Sequence, residues 1–237
     1  MTIQLGDEGR ALVTAIREGL AAHADPETAA QQQRYTKSAM PYRGLKAPLQ
    51  RSVVRPLIAA HLLPDRAQWD ATVRTLWDEA SYREEQYAAE ALAGDRRYWG
   101  YQDPGCLDLY EHLVVSGAWW DHVDLIAIHL IGPIQRSSRP ALDDTMRAWS
   151  IDQNLWRRRS AIIHQIGAGE ATDRQLLVDC ILPNLDDREF FLRKAIGWAL
   201  RQYARVDPDW VRGFVDEHQD RMSALSRREA TKHLSQG

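Results

Sequence analysis

The feature that most constrains this fold is a succession of short helix patterns separated by tight turns. Asp-Pro pairs at positions 25–26, 103–104 and 207–208 each place a capping carboxylate before a proline suited to the first helical turn. Apolar residues between Leu12 and Leu20 recur at helical spacing, and strand patterns are nearly absent. The sequence therefore predicts an all-α protein of roughly a dozen short helices.

Length and composition favour a single folded domain. The chain has 237 residues, of which 44% are hydrophobic and 27% charged, so it has enough apolar side chains to form a core. Many short helices without long linkers indicate either a bundle or an array of stacked helical pairs. We assign residues 1–237 to one domain.

Charge, cysteine usage and hydropathy exclude several classes of protein. The net charge of −3 gives no overall attraction for nucleic acid, so any anion-binding surface must be local. Cys106 and Cys180 are too few and too distant for a disulfide framework or a zinc cluster. The N-terminal residues lack a signal-peptide pattern, and Asp124 and Pro133 interrupt the apolar stretch at 123–134. We expect a cytoplasmic protein without a membrane span.

Three conspicuous residues lie at equal steps along the chain. Trp120, Arg159 and Trp198 are separated by 39 residues each. A period of about 40 residues is typical of two-helix HEAT units, in which equivalent positions line one concave surface of a solenoid. Chance spacing is the alternative, so the interpretation requires chemical support.

The first of these residues shares a helix face with a carboxylate. Trp120 and Asp124 are four residues apart, whereas Asp121 lies on an adjacent face. The alternative is a helix start in which Trp119 is buried and the aspartates favour the positive end of the dipole.

The second and third residues add a guanidinium and another indole. Arg159 is the member of the run 157–159 in phase with Trp120, and its planar fork suits phosphate; a solvated charge cluster is the alternative for its neighbours. Core packing explains Trp198 equally well. Gly197 costs roughly 1 kcal/mol inside a helix, which is compatible with close approach of a ligand backbone or a neighbouring helix.

Five strings of the sequence are informative together, and they are YTKSAMPYRGLKAP, WWDHVD, LWRRRSAIIHQ, FFLRKAIGWALRQYA and SALSRREATKHL. They resemble, in order, the AlkD family of bacterial alkylpurine DNA glycosylases over residues 30 to 235. The resemblance implies a HEAT-like α-α superhelix that cradles duplex DNA on a concave face and excises N3- and N7-alkylated purines without a metal or organic cofactor.

The resemblance also assigns site residues. Trp120, Asp124, Arg159 and Trp198 match the family's cleft residues, and Tyr35 matches an N-terminal aromatic. The loop at 42–44 departs from the more aromatic version of the family. The remaining basic side chains expected to contact DNA are Arg43, Arg193, Lys194, Arg227 and Arg228, with solvent exposure as the alternative at the C-terminal pair.

The chemistry follows from the charge of the substrate. A purine alkylated at N3 or N7 leaves as a neutral base, so the enzyme has to stabilise the oxocarbenium character of the sugar. Asp124 is expected to do this and to orient the attacking water, while Trp120 and Trp198 flank the nucleotide and Arg159 holds a phosphate. A Schiff base at Lys194 is the alternative chemistry.

Three further expectations complete the prediction. His122, His129 and His164 lack the paired spacing of a metal site, so we expect no metal. The partner is duplex DNA containing alkylated purines, bound by a monomer with little or no base flipping and without a membrane. A protein-binding HEAT scaffold and a noncatalytic binder of unusual DNA structures are the rival functions.

Overall fold

A computed structural model describes residues 4–234, and all regular structure in this range is helical. It contains fourteen α-helices and no β-strand between these limits, which confirms the predicted all-α class. The chain divides into two compact units, one ending at Tyr101 and the other beginning at Gln102. The assignment of one domain stays a prediction, and its ends, residues 1–3 and 235–237, lie outside the described range.

From residue 4 onward, the first unit contains five α-helices. Its core includes Leu12 and Ile16 on one helix and Trp69 and Leu76 on another, all of them fully buried. The burial of Leu12 and Ile16 follows directly from the helical spacing of apolar residues in the sequence. The helices are α1 (Asp7–Ala21), α2 (Pro26–Thr36), α3 (Ala47–Ala60), α4 (Arg66–Asp78) and α5 (Arg83–Ala93), followed by a 3-10 segment (Arg96–Tyr101).

The second unit contains nine α-helices within its described residues. A 3-10 turn (Pro104–Cys106) precedes the first of them, and a π-helical segment (Ile126–Ile131) joins α7 to α8 without a break. The helices are α6 (Leu107–Gly117), α7 (Trp120–Leu125), α8 (Gly132–Ser137), α9 (Asp143–Ser150), α10 (Leu155–Ile163), α11 (Arg174–Ile181), α12 (Phe190–Tyr203), α13 (Pro208–Glu217) and α14 (Ala224–Ala230).

The aspartates of the three Asp-Pro pairs are helix caps, as predicted. The Asp25 carboxylate accepts hydrogen bonds from the backbone N–H groups of Glu27 and Thr28 at the start of α2. Asp207 accepts one from Trp210 N at 3.0 Å and caps α13. Asp103 caps the 3-10 turn that precedes α6. Each cap satisfies N–H groups that have no partner inside their own helix.

The repeat period of the second unit differs from the predicted one. Helices α7, α10 and α12 begin at Trp120, Leu155 and Phe190, so they recur at steps of 35 residues and not 39. Arg159 is consequently the fifth residue of its helix and Trp198 the ninth. The prediction that Trp120, Arg159 and Trp198 occupy equivalent positions in successive repeats is therefore wrong. Because the extra four residues make about one turn, the three side chains keep nearly the same face but move about 6 Å further along each successive helix.

A glycine allows a close helix contact in this unit. A Cβ atom at Gly197 of α12 would lie 2.5 Å from the Cβ of Glu229 and 2.8 Å from the carbonyl oxygen of Ser226, both on α14. Ser226 Oγ also donates a hydrogen bond to the Arg193 carbonyl at 2.9 Å. The sequence allowed either a ligand or a helix beside this glycine, and the structure places a neighbouring helix there.

Hydropathy gives one further result. Among residues 4–234, no helix combines the length and the apolar character needed to cross a membrane.

Candidate active site

The second unit brings two of the predicted site residues into direct contact. Arg159 of α10 donates from Nε to Oδ1 of Asp124 and from Nη2 to Oδ2, both at 2.7 Å. This two-point contact between planar groups is the strongest geometry available to a carboxylate and a guanidinium. It spans two helices whose fifth residues are Asp124 and Arg159. The pair therefore fixes the position of the Asp124 carboxylate.

Arg159 makes a third contact that the sequence did not reveal. Its Nη1 donates to the Phe191 carbonyl at 2.6 Å, at the beginning of α12, and its side chain is only 4% exposed. One side chain thus joins α7, α10 and α12. The fork that was expected to hold a phosphate is occupied by Asp124, so a phosphate contact of Arg159 stays a prediction that requires these hydrogen bonds to rearrange.

The environment of Asp124 opposes its negative charge. Burial raises the pKa of the carboxyl group above its usual value, and the hydrogen bonds and positive charge of Arg159 offset only part of this effect. The nearby Asp121 raises the pKa further. The Asp124 side chain keeps 17% of its surface exposed. Arg159 therefore favours the charged form of this carboxylate, and part of the Asp124 side chain faces solvent.

An aromatic cluster packs beside the ion pair. The ring centroids of Trp119, Trp156 and Phe191 lie 5.0 to 6.1 Å apart, and the Arg159 guanidinium carbon is 6.0 Å from the centre of the Phe191 ring. Such rings pack rigidly and attract cations at their faces. Trp156 and Phe191, which pack beside the ion pair, were not predicted from the sequence. Their separation of 35 residues, the true repeat, was the available signal.

The two predicted cleft tryptophans are both half-buried. Trp120 is the first residue of α7 and lies one turn before Asp124, as the sequence indicated. Trp198 packs against the apolar core that includes Ala195, Ile196 and Leu200 of its own helix. Core packing, the alternative for Trp198, is thus present in part, and the remainder of the ring is accessible.

The basic residues of α12 are largely engaged with α14. Lys194 Nζ lies 2.7 Å from Oε1 of Glu229, and Arg201 contacts the other oxygen of the same carboxylate. The hydrogen bond from Lys194, followed by the charges of Lys194 and Arg201, holds the pKa of Glu229 below its usual value. Arg193 is half-buried. Lys194 is therefore an ion-paired ammonium group and not a shielded amine.

The two C-terminal arginines differ from each other. Arg227 donates from Nη1 to the backbone carbonyl oxygens of Gln219 and Met222, the latter at 3.0 Å. Arg228 is exposed. Arg227 therefore closes the turn before α14, and Arg228 is the one of the pair whose surface position suits the predicted DNA contact.

In the first unit, the predicted DNA-binding residues also separate into two kinds. Tyr35 is 76% exposed at the end of α2. The guanidinium carbon of Arg43 lies 3.9 Å from the centre of the Tyr82 ring, and its Nη2 is 3.3 Å from the buried Glu85. Arg43 therefore makes internal contacts, and the DNA contact predicted for it stays a prediction that this packing does not favour.

The histidines have ordinary helical surroundings. His164 is fully buried, burial lowers its pKa to about 4, and its Nδ1 lies 2.8 Å from the Ala161 carbonyl oxygen. His122 is buried and His129 is exposed. In the part of the chain that the structure describes, no three His, Cys, Asp or Glu side chains are grouped so that they could hold a metal ion.

Comparison with known proteins places the chain in a family. The family model for DNA alkylation repair enzymes matches residues 16–234. A solved structure described as a predicted DNA alkylation repair enzyme from Enterococcus faecalis is 29% identical, has a TM-score of 0.81, and aligns over 90% of this chain and 98% of its own. No curated protein matches. These findings confirm the predicted α-α superhelical repeat class and support a role in DNA repair. The chain belongs to the DNA alkylation repair enzyme family.

Proposed function

We propose that the protein is a DNA glycosylase that hydrolyses the N-glycosidic bond of cationic N3- and N7-alkylated purines in duplex DNA. The observation that carries this proposal is the carboxylate of Asp124, mostly buried, partly exposed and held at two points by Arg159. Water is the nucleophile. The predicted monomer acts on DNA in the bacterial cytoplasm and at the nucleoid during repair, and needs no cofactor.

The substrate itself supplies much of the driving force. Alkylation at N3 or N7 leaves the purine positively charged, so the base departs as a neutral molecule and needs no general acid. Positive charge then develops on the deoxyribose as the bond lengthens. A fixed carboxylate beside the sugar lowers the energy of that transition state and does not have to reorganise during the reaction. The same oxygen atoms are suited to orient the attacking water.

The ion pair with Arg159 is compatible with this role. Each carboxylate oxygen has more than one acceptor direction, and the guanidinium occupies one on each oxygen. The role that we propose for Asp124 uses the remaining directions, and the 17% of its side chain that is exposed is compatible with access of a ligand to them. Arg159 also opposes the effect of burial on the Asp124 pKa, so it favours the ionised form that the proposed role requires.

The two tryptophans complete the proposed cleft. Trp120 lies one turn before Asp124 on α7, and the accessible part of Trp198 is on α12, the helix whose first turn contacts Arg159. Indole faces attract cations and pack on sugar rings, so the pair suits an alkylated purine and its deoxyribose. We propose that gripping the sugar replaces base-specific hydrogen bonds, with little or no base flipping.

Release of the damaged base tests this function. Wild-type protein in excess over a duplex that contains one N7-methylguanine should release free 7-methylguanine faster than the same duplex without protein. An undamaged duplex is the control and should release no guanine. Tight binding to both duplexes without release of the base would instead support a noncatalytic DNA-binding role.

A further inference from the structure

A long stretch of the first unit contains no acidic residue. Asp and Glu make up 33 of the 237 residues, yet none lies between Thr28 and Pro64. The stretch covers most of α2, the following loop and all of α3. Its basic residues are Arg34, Lys37, Arg43, Lys46, Arg51 and Arg55.

Two of these basic residues face nearby acids. Arg43 contacts Glu85 and Tyr82. Hydrogen bonds from Thr28 lower the pKa of the capping carboxylate of Asp25 most, and the nearby positive charge of Lys46 lowers it a little further. These two cations are therefore partly neutralised within the unit.

The other four are solvent-exposed. Across residues 4–234, their side chains make no ion pair or hydrogen bond. Arg51 and Arg55 lie one turn apart on the outer stripe of α3, whose inner stripe is formed by Gln50, Val54 and Ile58. We call Arg34, Lys37, Arg51 and Arg55 the α2–α3 cations.

Several surface arginines elsewhere in the chain have a different environment. Arg10 pairs with Asp7, Arg74 with Asp70, and Arg212 with Asp209, each with an acid three or four residues away on the same helix. In each pair, the negative charge of the acid cancels most of the electrostatic field that the arginine produces at the protein surface. The α2–α3 cations keep their full field because their stretch offers no acidic neighbour in sequence.

The backbone that carries these cations is held firmly. The buried Glu84 accepts hydrogen bonds from the backbone N–H groups of Arg43, Gly44 and Leu45 at 2.8 to 3.1 Å. Gln32 of α2 donates to the Leu45 carbonyl at 3.0 Å. The end of α2 and the beginning of α3 are thus fixed to the same loop, which presents their cations without a large ordering cost.

We propose that the α2–α3 cations bind phosphates of the duplex DNA backbone, as a contact surface additional to the Asp124 site. The choice of duplex DNA as the polyanion rests on the proposed function. A protein with a net charge of −3 has to draw DNA to itself with local fields, and unpaired surface cations are suited to phosphates because those contacts position the duplex without reading its sequence.

The salt dependence of binding tests this surface. Binding to each phosphate releases counterions, so the slope of log affinity against log salt decreases in magnitude by about 0.9 for each phosphate of B-form DNA that the protein no longer neutralises. Affinity for a short undamaged duplex is measured by fluorescence anisotropy over a range of salt concentrations for Arg51→Ala/Arg55→Ala and Arg34→Ala/Lys37→Ala. We expect the magnitude of the slope to be smaller by roughly 1.8 in each double variant.

Arg10→Ala/Arg212→Ala is the matched control, because it removes the same charge from paired surface arginines. It should keep the wild-type slope. Arg51→Lys/Arg55→Lys retains the positive charges and should also keep it, which separates the effect of charge from any other effect of substitution at these positions. Slopes of the two test variants equal to that of the control would overturn the proposal.

Failure of this surface is distinguishable from failure of the proposed function. Base release from methylated duplex is measured with the wild-type protein alone. If the wild type releases no base while the test variants have reduced slopes, the DNA contact of the α2–α3 cations is supported and the glycosylase assignment is contradicted. If the wild type releases the base and the salt slopes of all variants are equal, the glycosylase assignment is supported and the DNA contact of the α2–α3 cations is contradicted.

Discussion

At the scale of single residues, the charge of Asp124 is coupled to Arg159, and this coupling predicts a shift in the pH profile. Arg159→Met removes the interactions that lower the Asp124 pKa and leaves the burial that raises it, so the pKa should rise. Activity that requires the carboxylate is present above this pKa and decreases as the pH falls through it. The acid limb of the rate profile for 7-methylguanine release should therefore move to higher pH.

Arg157→Met on the same helix is the control, because Arg157 pairs with Glu111 and Asp152 and not with Asp124. Its acid limb should coincide with that of the wild type. Superimposable profiles for Arg159→Met and the wild type would show that Arg159 does not control the charge of Asp124.

The ion pair at Lys194 predicts the absence of a covalent intermediate. The Lys194 ammonium group is ion-paired with the Glu229 carboxylate at 2.7 Å, and an ammonium nitrogen has no free lone pair with which to attack the sugar. Borohydride added during turnover should trap no protein–DNA adduct. An adduct that appears with the wild type and disappears with Lys194→Ala would replace water by lysine as the nucleophile.

Local relationships between these residues could be predicted from the sequence, whereas partners distant in sequence could not. Trp120 and Asp124 share a face because they are one turn apart, which is a property of any helix. The partner of Arg159 is not local. A guanidinium fork fits a phosphate and a carboxylate equally well, and only the folded chain shows that Asp124, 35 residues earlier, occupies it.

At the scale of helices, the close contact between α12 and α14 predicts opposite effects of two similar substitutions. Gly197→Ala would force its Cβ against Glu229 and the Ser226 backbone, so it should destabilise the protein by about 1–3 kcal/mol despite the better helix propensity of alanine. Gly213→Ala on α13 meets no atom within 4 Å and should be neutral or stabilising by up to about 1 kcal/mol.

Thermal denaturation of the two variants measures this difference. The melting temperature should fall for Gly197→Ala and stay level or rise for Gly213→Ala. A rise in both variants would mean that α12 and α14 do not need the close approach seen at Gly197.

The helix caps were predictable and the repeat period was not. Asp25 and Asp207 indicate the starts of α2 and α13 because their carboxylates accept hydrogen bonds from N–H groups a few residues away. The starts of α7 and α12 follow Trp119 and Glu189, whose side chains make no capping hydrogen bond. The period of 39 residues was therefore inferred from conspicuous side chains. The predicted period is four residues, or about one helical turn, too long. The three side chains therefore lie on nearly the expected face of each helix but at different distances from its start.

At the scale of the whole molecule, the all-α class could be predicted from local sequence patterns. Which basic side chains are accessible to DNA phosphates could, for the most part, not be predicted in this way. Lys194 and Arg43 were expected to contact DNA, but Glu229 and Glu85, both distant in sequence, pair with them. A basic residue is available to phosphate only where the fold brings no acid to it. The stretch from Thr28 to Pro64 is a partial exception, because its lack of acids is visible in the sequence itself, although Glu85 of α5 still pairs with Arg43 within it.

The proposed function of the molecule depends most on the negative charge of Asp124. Asp124→Asn keeps the shape of the side chain and removes its charge. Asp121→Asn removes the same charge three residues earlier and serves as the control. Both variants should remain folded and bind the methylated duplex nearly as well as the wild type, because phosphate contacts supply most of the affinity.

The decisive measurement is the single-turnover rate of 7-methylguanine release from duplex DNA by Asp124→Asn. Loss of one preorganised charge commonly slows such a step by roughly 10²-fold, and by about tenfold where the leaving group departs readily by itself. We expect a decrease within this range for Asp124→Asn and a rate close to the wild type for Asp121→Asn. Release at the wild-type rate by a folded Asp124→Asn protein would contradict the assignment of Asp124 as the catalytic carboxylate.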